Sequence, residues 1–578
     1  MEALLQYLKL HLKKVFPTEA DTQQPLSVAN VFSDNMVLQR DARIAIWGKA
    51  QPKTQIQVTF NTQALLTSAD KKGDWLVHLA PLSANSQGDT LRISDSLDII
   101  QFINVVVGEV WICSGQSNMG WTLDLSEDAE LHIQNATNPD IRFLAVPVFR
   151  SEQMETSIQP SQWASSHPHH ARFWSAVGYH FAVKLQQELQ LPIGIIWASL
   201  GATKIQEWTS KSINALHAYD IPEEWNNNAS SNLFNGMIAP LIPYTIRGVA
   251  WYQGEENHWG AGLYHTQQAA MIEDWRERWG QGSFPFVYVQ LANYGQTNSE
   301  PWSAWAELQE AQLQTLSHPN TAMAVAVDVG EANDIHPRRK QPVGERLAIA
   351  ALGIAYQQFE TYTGPLFKSF AVEGNKIRIS FDHVGEGLET TDNQPLRWFE
   401  IAEKNPIAGK NARFHPAIAE IDGDTVLIHS ETITNPIAAR YAFNNNPEGC
   451  NLCNSTGLPA SPFRTSNDWS ATLGNNPKRP IKQVPVAIHK RINAVLGTPI
   501  SVELQGHWCK NTPSEARKFK LISKPKMGDL KGVAPNLIYH PHAEKTGTDR
   551  FTYRVSNQFS TSNLATIIID VNNNQPAI

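Results

Sequence analysis

The feature that most constrains this chain is a set of apolar segments that each end in small or polar residues. INVVVGEVWIC (103–113) leads into SGQSNM (114–119), and PIGIIWASLGAT (192–203) ends in small residues. IRGVAWYQGEEN (246–257) and TAMAVAVDVGEANDIHP (321–337) end in amide, carboxylate and histidine side chains. Apolar runs without alternation are typical of parallel strands buried on both faces, and ligands bind beyond the C-terminal ends of such strands. The sequence therefore predicts a parallel sheet whose polar ends gather along one rim.

Helix-like segments separate these strands. They are ARFWSAVGYHFAVKLQQEL (171–189), AGLYHTQQAAMIEDWRERWG (261–280) and PVGERLAIAALGIAYQQ (342–358). Strands that alternate with helices form a parallel sheet wrapped by helices. The expected fold class is α/β, with helices on both faces of the sheet.

Ser117 in SGQSNM is the first candidate for chemistry. It follows a buried strand directly, and a serine on such a turn has an exposed hydroxyl with the next backbone N–H groups free. Serine turns of this kind are common, so the motif alone is weak. Gln253, Glu255 and His336 at the ends of the later strands strengthen the prediction of an ester-cleaving site.

Several motifs resemble one known family in the same order and with similar spacing. SGQSNM, NGMIAPLIPYTIRGVAWYQGE (235–255) and NDIHPRRKQPVGERLA (333–348) are similar to the sialate O-acetylesterase family of SGNH-type hydrolases, and further similarity extends from VFSDNMVLQR (31–40) to GLPASPFRTSNDW (457–469). The resemblance implies an SGNH-hydrolase-like fold and an esterase that removes O-acetyl groups from sugars, with neither a cofactor nor a metal.

The resemblance also implies roles for individual residues. Ser117 matches the nucleophile and His336, in DIHP, matches the general base. Gly201, in SLGAT where the family usually has SWGGT, would donate its backbone N–H to an oxyanion hole together with that of Ser117, and Gln253 would supply a side-chain donor. These roles suit acyl transfer, which needs preorganised donors for the developing oxyanion and a base within reach of the serine.

The sequence does not determine which carboxylate completes a catalytic triad with Ser117 and His336. Many SGNH enzymes have an aspartate three residues before the histidine, where this chain has Asn333. The candidates are Asp334, Asp328 and Glu331. Asp334 is the prediction because it matches the family's DIH pattern, although a residue two positions before His336 needs a sharp turn to reach the imidazole.

Alternating strand patterns predict further β-rich parts on either side of the catalytic region. The last of them is predicted to be a β-sandwich, because GTDRFTYRVSN (547–557) resembles bacterial immunoglobulin-like or cadherin-like repeats. The predicted organisation is an N-terminal helical segment (1–25), a β-rich module (26–100), the SGNH hydrolase domain (101–365), a β-rich segment (366–470), a linker (471–490) and the sandwich (491–578).

Composition limits the partners and the location. The formal net charge of −8 is spread without runs, which argues against nucleic-acid binding, and no apolar stretch is long enough to span a bilayer. The expected partner is an acetylated sugar or polysaccharide. The first 16 residues carry no apolar core of the length that a secretion signal needs, whereas the family is typically exported, so the location is left open. The sequence does not indicate an oligomeric state.

Some residue types allow two interpretations. Cys450 and Cys453 form either a local disulfide or two unlinked thiols, and Cys113 is expected to be a core residue. Three tryptophans near the strand ends, Trp197, Trp208 and Trp251, fit either sugar stacking or the core, and the core is favoured. The histidines at positions 167, 169 and 170 lack metal-ligand spacing and are expected in a solvated loop.

The predicted function is that of a serine carbohydrate esterase, sialate O-acetylesterase-like, which acts through an acyl-enzyme on Ser117. One alternative is an esterase for acetylated xylan, xyloglucan or similar polysaccharides. A second alternative, from a different class, is a non-catalytic glycan-binding protein. The choice between the sugars depends on loop shapes that sequence does not reveal.

Overall fold

A computed structural model describes most of the chain. The described residues are 24–217, 231–297, 303–403, 413–465, 486–487, 490–507, 517–556 and 565–572. Where they are described, they form two compact units, the first from Met1–Gly201, Asn232–Trp251 and Arg338–Ala355, and the second from Ala202–Ser231, Tyr252–Pro337 and Tyr356–Ile578. The predicted N-terminal segment as far as residue 23 and most of the predicted linker lie outside the described residues.

The α-helices begin and end at conventional signals. The side chain of Ser175 accepts a hydrogen bond from Gly178 N at the start of one helix, Ser303 does the same for Ala306 N at another, and Gly280 ends a third with a φ of 66°. The α-helices are α1 (Ser117–Gly120), α2 (Ala129–Gln134), α3 (Pro168–Ala171), α4 (Ala176–Leu189), α5 (Lys211–His217), α6 (Ala261–Trp279), α7 (Ala304–Gln314) and α8 (Lys340–Tyr356). None of the helices that the structure describes combines the length and apolarity needed to cross a bilayer.

The strands of the first unit lie mostly before residue 200. They are β1 (Ser27–Val28), β2 (Val37–Gln39), β3 (Ile44–Lys49), β4 (Gln55–Phe60), β5 (Gln63–Ser68), β6 (Asp74–Leu79), β7 (Asn85–Ser94), β8 (Ile99–Gly115), β9 (Asn138–Ala145), β10 (Trp163–Ser166), β11 (Ile193–Ser199) and β12 (Gly248–Tyr252). The main sheet of this unit has the order β10-β9-β11-β8-β12. Within it, β11 runs parallel to both β9 and β8.

Strand β8 belongs to two environments. Its first half pairs antiparallel with β7 and has no buried residue before Val105, whereas every residue from Val105 to Gly115 is buried. The change coincides with the start of its parallel pairing with β2 and then β11. The β-rich module and the main sheet therefore share one strand, and position 100, where the predicted module ends, lies inside it.

The strands of the second unit fall into several sheets. Before the C-terminal region they are β13 (Phe286–Gln290), β14 (Thr321–Val325), β15 (Leu366–Glu373), β16 (Lys376–Asp382), β17 (Leu388–Thr390), β18 (Phe399–Glu403), β19 (Arg413–Pro416), β20 (Ile418–Asp422), β21 (Thr425–His429), β22 (Pro436–Tyr441), β23 (Leu452–Asn454) and β24 (Phe463–Arg464). β13 and β14 pair in parallel. The others form antiparallel sheets with the orders β15-β16-β21-β20, β17-β23 and β19-β18-β22-β24.

The C-terminal region is a β-sandwich, as its alternating pattern predicts. Its strands are β25 (Val486–Ala487), β26 (Lys490–Val495), β27 (Ile500–Glu503), β28 (Gly506–His507), β29 (Lys518–Leu521), β30 (Gly528–Val533), β31 (Asn536–Pro541), β32 (Gly547–Ser556) and β33 (Ala565–Asn572). The sheets β26-β33-β32-β29 and β27-β31-β30 enclose one core that includes Val502, Tyr539, Phe551 and Ile567. The buried residues of this core all come from Ala487–Val571.

The α/β fold class and the strands expected from the apolar runs are confirmed. Each of the runs that end near Ser117, Ser199, Gln253 and Asp328 forms a strand that is wholly or mostly buried. The three expected helices are present as α4, α6 and α8. The sequence interpretation did not include β9, β13 and α7.

Candidate active site

The nucleophile candidate lies where β8 turns into α1. Gly115, the last residue of β8, has a φ of 140°, a region that side-chain-bearing residues rarely adopt, and Gln116 is extended. Ser117 then begins the helical turn, and the amides of Met119 and Gly120 donate to Gln116 O at 3.0 Å. Ser117 is partly exposed although Gln116 and Asn118 on either side are buried. The turn therefore presents Ser117 to solvent from an otherwise closed segment.

Gly201 lies against this serine. Strand β11 pairs with β8 so that Ser199 is opposite Gly115, and Leu200 N donates to Gly115 O at 3.1 Å. A Cβ atom added to Gly201 would lie 3.2 Å from the Cβ of Ser117. The parallel register thus brings together two residues that the sequence places 84 positions apart. Only a residue without a side chain fits here without displacing the serine.

A buried lysine holds the turn and was missed by sequence reasoning. Lys340, the first residue of α8, is 1% exposed, and its Nζ donates a hydrogen bond to the side-chain oxygen of Asn118. The same ammonium lies 5.8 Å from the centre of the Trp121 ring. Lysine is rarely buried unless its charge is compensated, so Asn118 and Trp121 are part of what makes this position tolerable. A lysine after two arginines is expected on the surface, and the pattern gave no signal for burial.

Gln253 is in the second unit and is fully buried. Its Nε2 donates to Thr203 O at 3.0 Å and to Asn257 Oδ1 at 2.7 Å, and its Oε1 accepts from the hydroxyl of Tyr264 at 2.7 Å. Asn257 Oδ1 also accepts from Ile205 N at 2.9 Å. Both N–H groups of the Gln253 amide are therefore engaged within the second unit.

His336 and Asp334 lie together in the loop that precedes α8. Asp334 Oδ1 accepts a hydrogen bond from the backbone N–H of His336 at 2.8 Å and lies 3.6 Å from the imidazole Nδ1. The side chains of Asp334 and His336 are 48% and 28% exposed, respectively. The sharp turn that the sequence required is thus present, and the carboxylate bonds to the backbone of the histidine while lying just beyond hydrogen-bond distance of the ring.

The other two acid candidates have different surroundings. Glu331 forms isolated β-bridges with Tyr294 and with Asp334. Asp328 lies close enough to Cys450 to affect its ionisation: burial, followed by the negative charge of Asp328, raises the pKa of Cys450 to about 12. Both residues also make contacts besides these.

The described cysteines are free thiols. Cys450 and Cys453 are buried and unlinked, which corresponds to the second of the two interpretations of the C-x-x-C. Burial is also the main reason that the pKa of Cys453 is raised to about 11. Cys113 is completely buried in β8, and burial raises the pKa of its thiol, so it is a core residue. All three thiols stay protonated at neutral pH and are poor nucleophiles.

The tryptophans named from the sequence belong mainly to the core. Trp208 and Trp251 are fully buried. Trp197 is partly buried, and its Nε1 donates to Ser199 Oγ at 2.7 Å.

The histidines at positions 167, 169 and 170 are expected in a solvated loop, but the structure has a short helix there. His167 caps α3 at its N-terminus, and all three histidines are exposed. No cluster of three or more metal-ligand side chains occurs among the described residues.

Comparison with known proteins decides the family. A family model described as "Carbohydrate esterase, sialic acid-specific acetylesterase" matches residues 107–353. The human sialate O-acetylesterase is 30% identical over 491 residues, which cover 75% of this chain and 91% of the human protein. This chain belongs to the sialate O-acetylesterase family. The mouse sialate O-acetylesterase is 28% identical over 515 residues, covering 75% of this chain and 93% of the mouse protein.

A solved structure supports the same assignment. The crystal structure of a carbohydrate acetylesterase from Xanthomonas citri matches with a TM-score of 0.72 and 36% identity, covering 77% of this chain and 100% of that chain. The SGNH-like fold of the catalytic part follows from this match. As a member of the sialate O-acetylesterase family, the protein is a carbohydrate esterase, and its substrate is an acetylated sugar.

Proposed function

We propose that the protein removes O-acetyl groups from sialic acids by a serine mechanism, with Ser117 as the nucleophile and His336 as the general base. The observation that carries the proposal is the close approach of Gly201 to Ser117 at the ends of two parallel strands. It brings the backbone of Gly201 next to the partly exposed Ser117, which supports the N–H groups of these two residues as the proposed donors to the oxyanion in acyl transfer.

In this mechanism, Ser117 Oγ attacks the acetyl carbonyl carbon while His336 accepts the hydroxyl proton. The oxyanion of the tetrahedral intermediate would accept hydrogen bonds from the N–H groups of Ser117 and Gly201. Collapse of the intermediate breaks the ester bond, and His336 returns the proton to the departing sugar oxygen. Water, activated by the same histidine, then hydrolyses the acetyl ester on Ser117 and releases acetate.

Gln253 is proposed as the side-chain donor of the oxyanion hole. Because its two N–H groups bond to Thr203 O and Asn257 Oδ1, one of these bonds has to be exchanged for the oxyanion as the substrate reacts. Such rearrangement is compatible with catalysis, since hydrogen bonds of a free enzyme often reorganise in the reacting complex. Asp334 is proposed to orient His336, starting from its 3.6 Å separation from Nδ1.

The C-terminal sandwich is proposed to be an immunoglobulin-like or cadherin-like domain without a catalytic role. Its enclosed core supports independent folding, and the proposed catalytic residues all precede it. Its function would be spacing, docking or contact with glycans outside the active site.

The direct test of the proposed function is acetate release from a panel of substrates. Acetylated sialic acid, acetylated xylan and acetylated xyloglucan are compared for the wild type and for Ser117→Ala. We expect the highest kcat/KM on acetylated sialic acid and a loss of about a millionfold in kcat for the variant. Preference for either plant polysaccharide would support the polysaccharide esterase instead, and absence of acetate release from every substrate would support the glycan-binding alternative.

A further inference from the structure

Lys340, the first residue of α8, is a charged side chain in a buried position. It is 1% exposed, and removing an ammonium group from water costs free energy that an apolar residue of similar size would not cost. Departures of this kind from the usual pattern are expected at functional sites, where another requirement outweighs stability. The contacts of Lys340 indicate what that requirement is.

The head group of Lys340 contacts the turn that carries Ser117. Its Nζ donates a hydrogen bond to Oδ1 of Asn118, which is 2% exposed and follows Ser117 directly in the chain. The ammonium also lies 5.8 Å from the centre of the Trp121 ring. The indole of Trp121 is held in turn, because its Nε1 donates to Leu125 O at 3.0 Å. The lysine therefore holds a residue that is bonded covalently to the candidate nucleophile.

The backbone of Lys340 and the helix that it begins are both fixed within the first unit. Lys340 N and Glu127 N both donate to Arg338 O at 2.8 Å, which ties the start of α8 to the segment between α1 and α2. One turn further along α8, Gly344 packs so closely on α4 that an added Cβ would lie 2.6 Å from Val177 O. The ammonium is therefore presented from a fixed support.

We propose that Lys340 is a positioning residue for catalysis: by holding Asn118, it fixes the direction of the Ser117 hydroxyl. The inference rests on the proposed function, because it assigns a role toward the proposed nucleophile. The peptide unit between Ser117 and Asn118 is planar, so a restraint on Asn118 also restrains the plane that it shares with Ser117. A displacement of about 1 Å in a reacting group is enough to lower kcat by about a hundredfold.

Steady-state kinetics of Lys340→Met on one acetyl ester tests the inference. Methionine is an unbranched side chain of similar size that lacks both the donor and the charge. We expect kcat to fall by about a hundredfold and KM to stay within about twofold, because the reacting hydroxyl is displaced while the sugar still binds. Expressing kcat per reactive serine, counted by complete labelling with diisopropyl fluorophosphate, prevents a loss of folded protein from lowering it. Lys184→Met is the matched control and should behave as wild type, since Lys184 pairs with Glu188 at 2.7 Å on α4.

Substitutions at Asn118 show whether the lysine acts through that residue, and they keep the test decisive if Lys340→Met does not fold. Asn118→Ala should lower kcat about as much as Lys340→Met does, and the double variant should lose no more, because both changes remove one interaction. Asn118→Asp keeps an acceptor for the ammonium, so its kcat should be at least about tenfold above that of Asn118→Ala.

The results separate this inference from the proposed function. If kcat of Lys340→Met or of Asn118→Ala stays within about threefold of wild type, the role of Lys340 is wrong while the esterase assignment stands. The same conclusion follows if the two losses multiply in the double variant, or if Asn118→Asp loses as much as Asn118→Ala. Activity retained by Ser117→Ala would instead overturn the proposed nucleophile, and the role of Lys340 with it.

Discussion

Two glycines help to position Ser117, the candidate nucleophile. The φ of 140° at Gly115 allows the chain to leave β8 sharply, and the missing side chain at Gly201 leaves room for Ser117. Lys340 then fixes the side chain of Asn118, the residue after the nucleophile. The position of the Ser117 hydroxyl therefore depends on neighbours that have no proposed part in bond making.

The identity of the triad acid is testable at this scale. Asp334→Asn should lower kcat by about three to four orders of magnitude, because an amide near Nδ1 favours the wrong imidazole tautomer. Asp328→Asn and Glu331→Gln serve as matched comparisons and should each cost tenfold or less. Steady-state kinetics on one acetyl ester measures all three.

If Asp328→Asn or Glu331→Gln lowers kcat more than Asp334→Asn does, the acid is the residue whose substitution lowers kcat most. If none of the three substitutions costs more than about tenfold, Ser117 and His336 work as a dyad, and the assignment of Asp334 from the family pattern is wrong.

At the scale of elements, β8 is the strand on which the first unit depends. It joins the antiparallel module to the parallel sheet and ends at the turn that carries Ser117. Midway along it, the side chain of Glu109 is completely buried and accepts hydrogen bonds from Gln39, Arg40 and Arg247. The carboxylate thus ties β8 to β2 and to the segment that leads into β12.

Glu109→Gln should destabilise the protein by about 3 kcal/mol, because it leaves two guanidinium groups facing a neutral amide in a buried position. Glu188→Gln is the control, since Glu188 pairs with Lys184 at 2.7 Å on the surface of α4 and should cost under about 1 kcal/mol. Urea unfolding of both variants provides the comparison. If the two variants have equal free energies of unfolding, the contacts of Glu109 contribute no more to stability than the surface pair of Glu188 and Lys184 does.

The sequence predicts the secondary-structure elements better than it predicts the contacts between side chains. The four long apolar runs were recognisable because strands buried on both faces must be apolar throughout. β9 begins with Asn138, Pro139 and Asp140, a pattern that does not separate a strand from a loop. β13 has five buried residues, as β12 and β14 do, so the same apolar rule applies to it and the sequence interpretation overlooked it. The engagement of Gln253 by Thr203, Asn257 and Tyr264, and the burial of Lys340, follow from tertiary packing that no local period encodes.

For the molecule as a whole, one buried histidine contributes to the loss of folding stability at low pH. His180 on α4 is 4% exposed and its ring lies 4.5 Å from that of His132. Burial, followed by the neighbouring His132, lowers the pKa of His180 to about 3. Between about pH 6.5 and pH 3 the unfolded chain therefore takes up a proton that folded His180 does not, and stability falls as the pH falls through this range.

Urea unfolding at pH 7.5 and pH 5.0 checks this contribution. The wild type should lose stability between the two conditions, and His180→Phe, which cannot be protonated, should lose about 1–2 kcal/mol less. An identical loss in both proteins would mean that the acid sensitivity comes from other groups.

The C-terminal sandwich should be dispensable for chemistry. A chain that ends at Asn475 should hydrolyse glyceryl triacetate with a kcat within about twofold of the full chain, because the sandwich core draws its buried residues from Ala487–Val571 alone. A collapse of the shortened enzyme, or a large loss on this small ester, would show that the sandwich supports the catalytic part.

Covalent labelling tests the central claim, that acyl transfer occurs on Ser117, most directly. The protein is treated with diisopropyl fluorophosphate, which phosphorylates activated serines with loss of fluoride, and the modified peptide is identified by mass spectrometry. The account predicts one label per chain on Ser117, loss of acetate release in proportion to labelling, and no label in Ser117→Ala. Inactivation with the label on another serine, or full activity with Ser117 labelled, would contradict it.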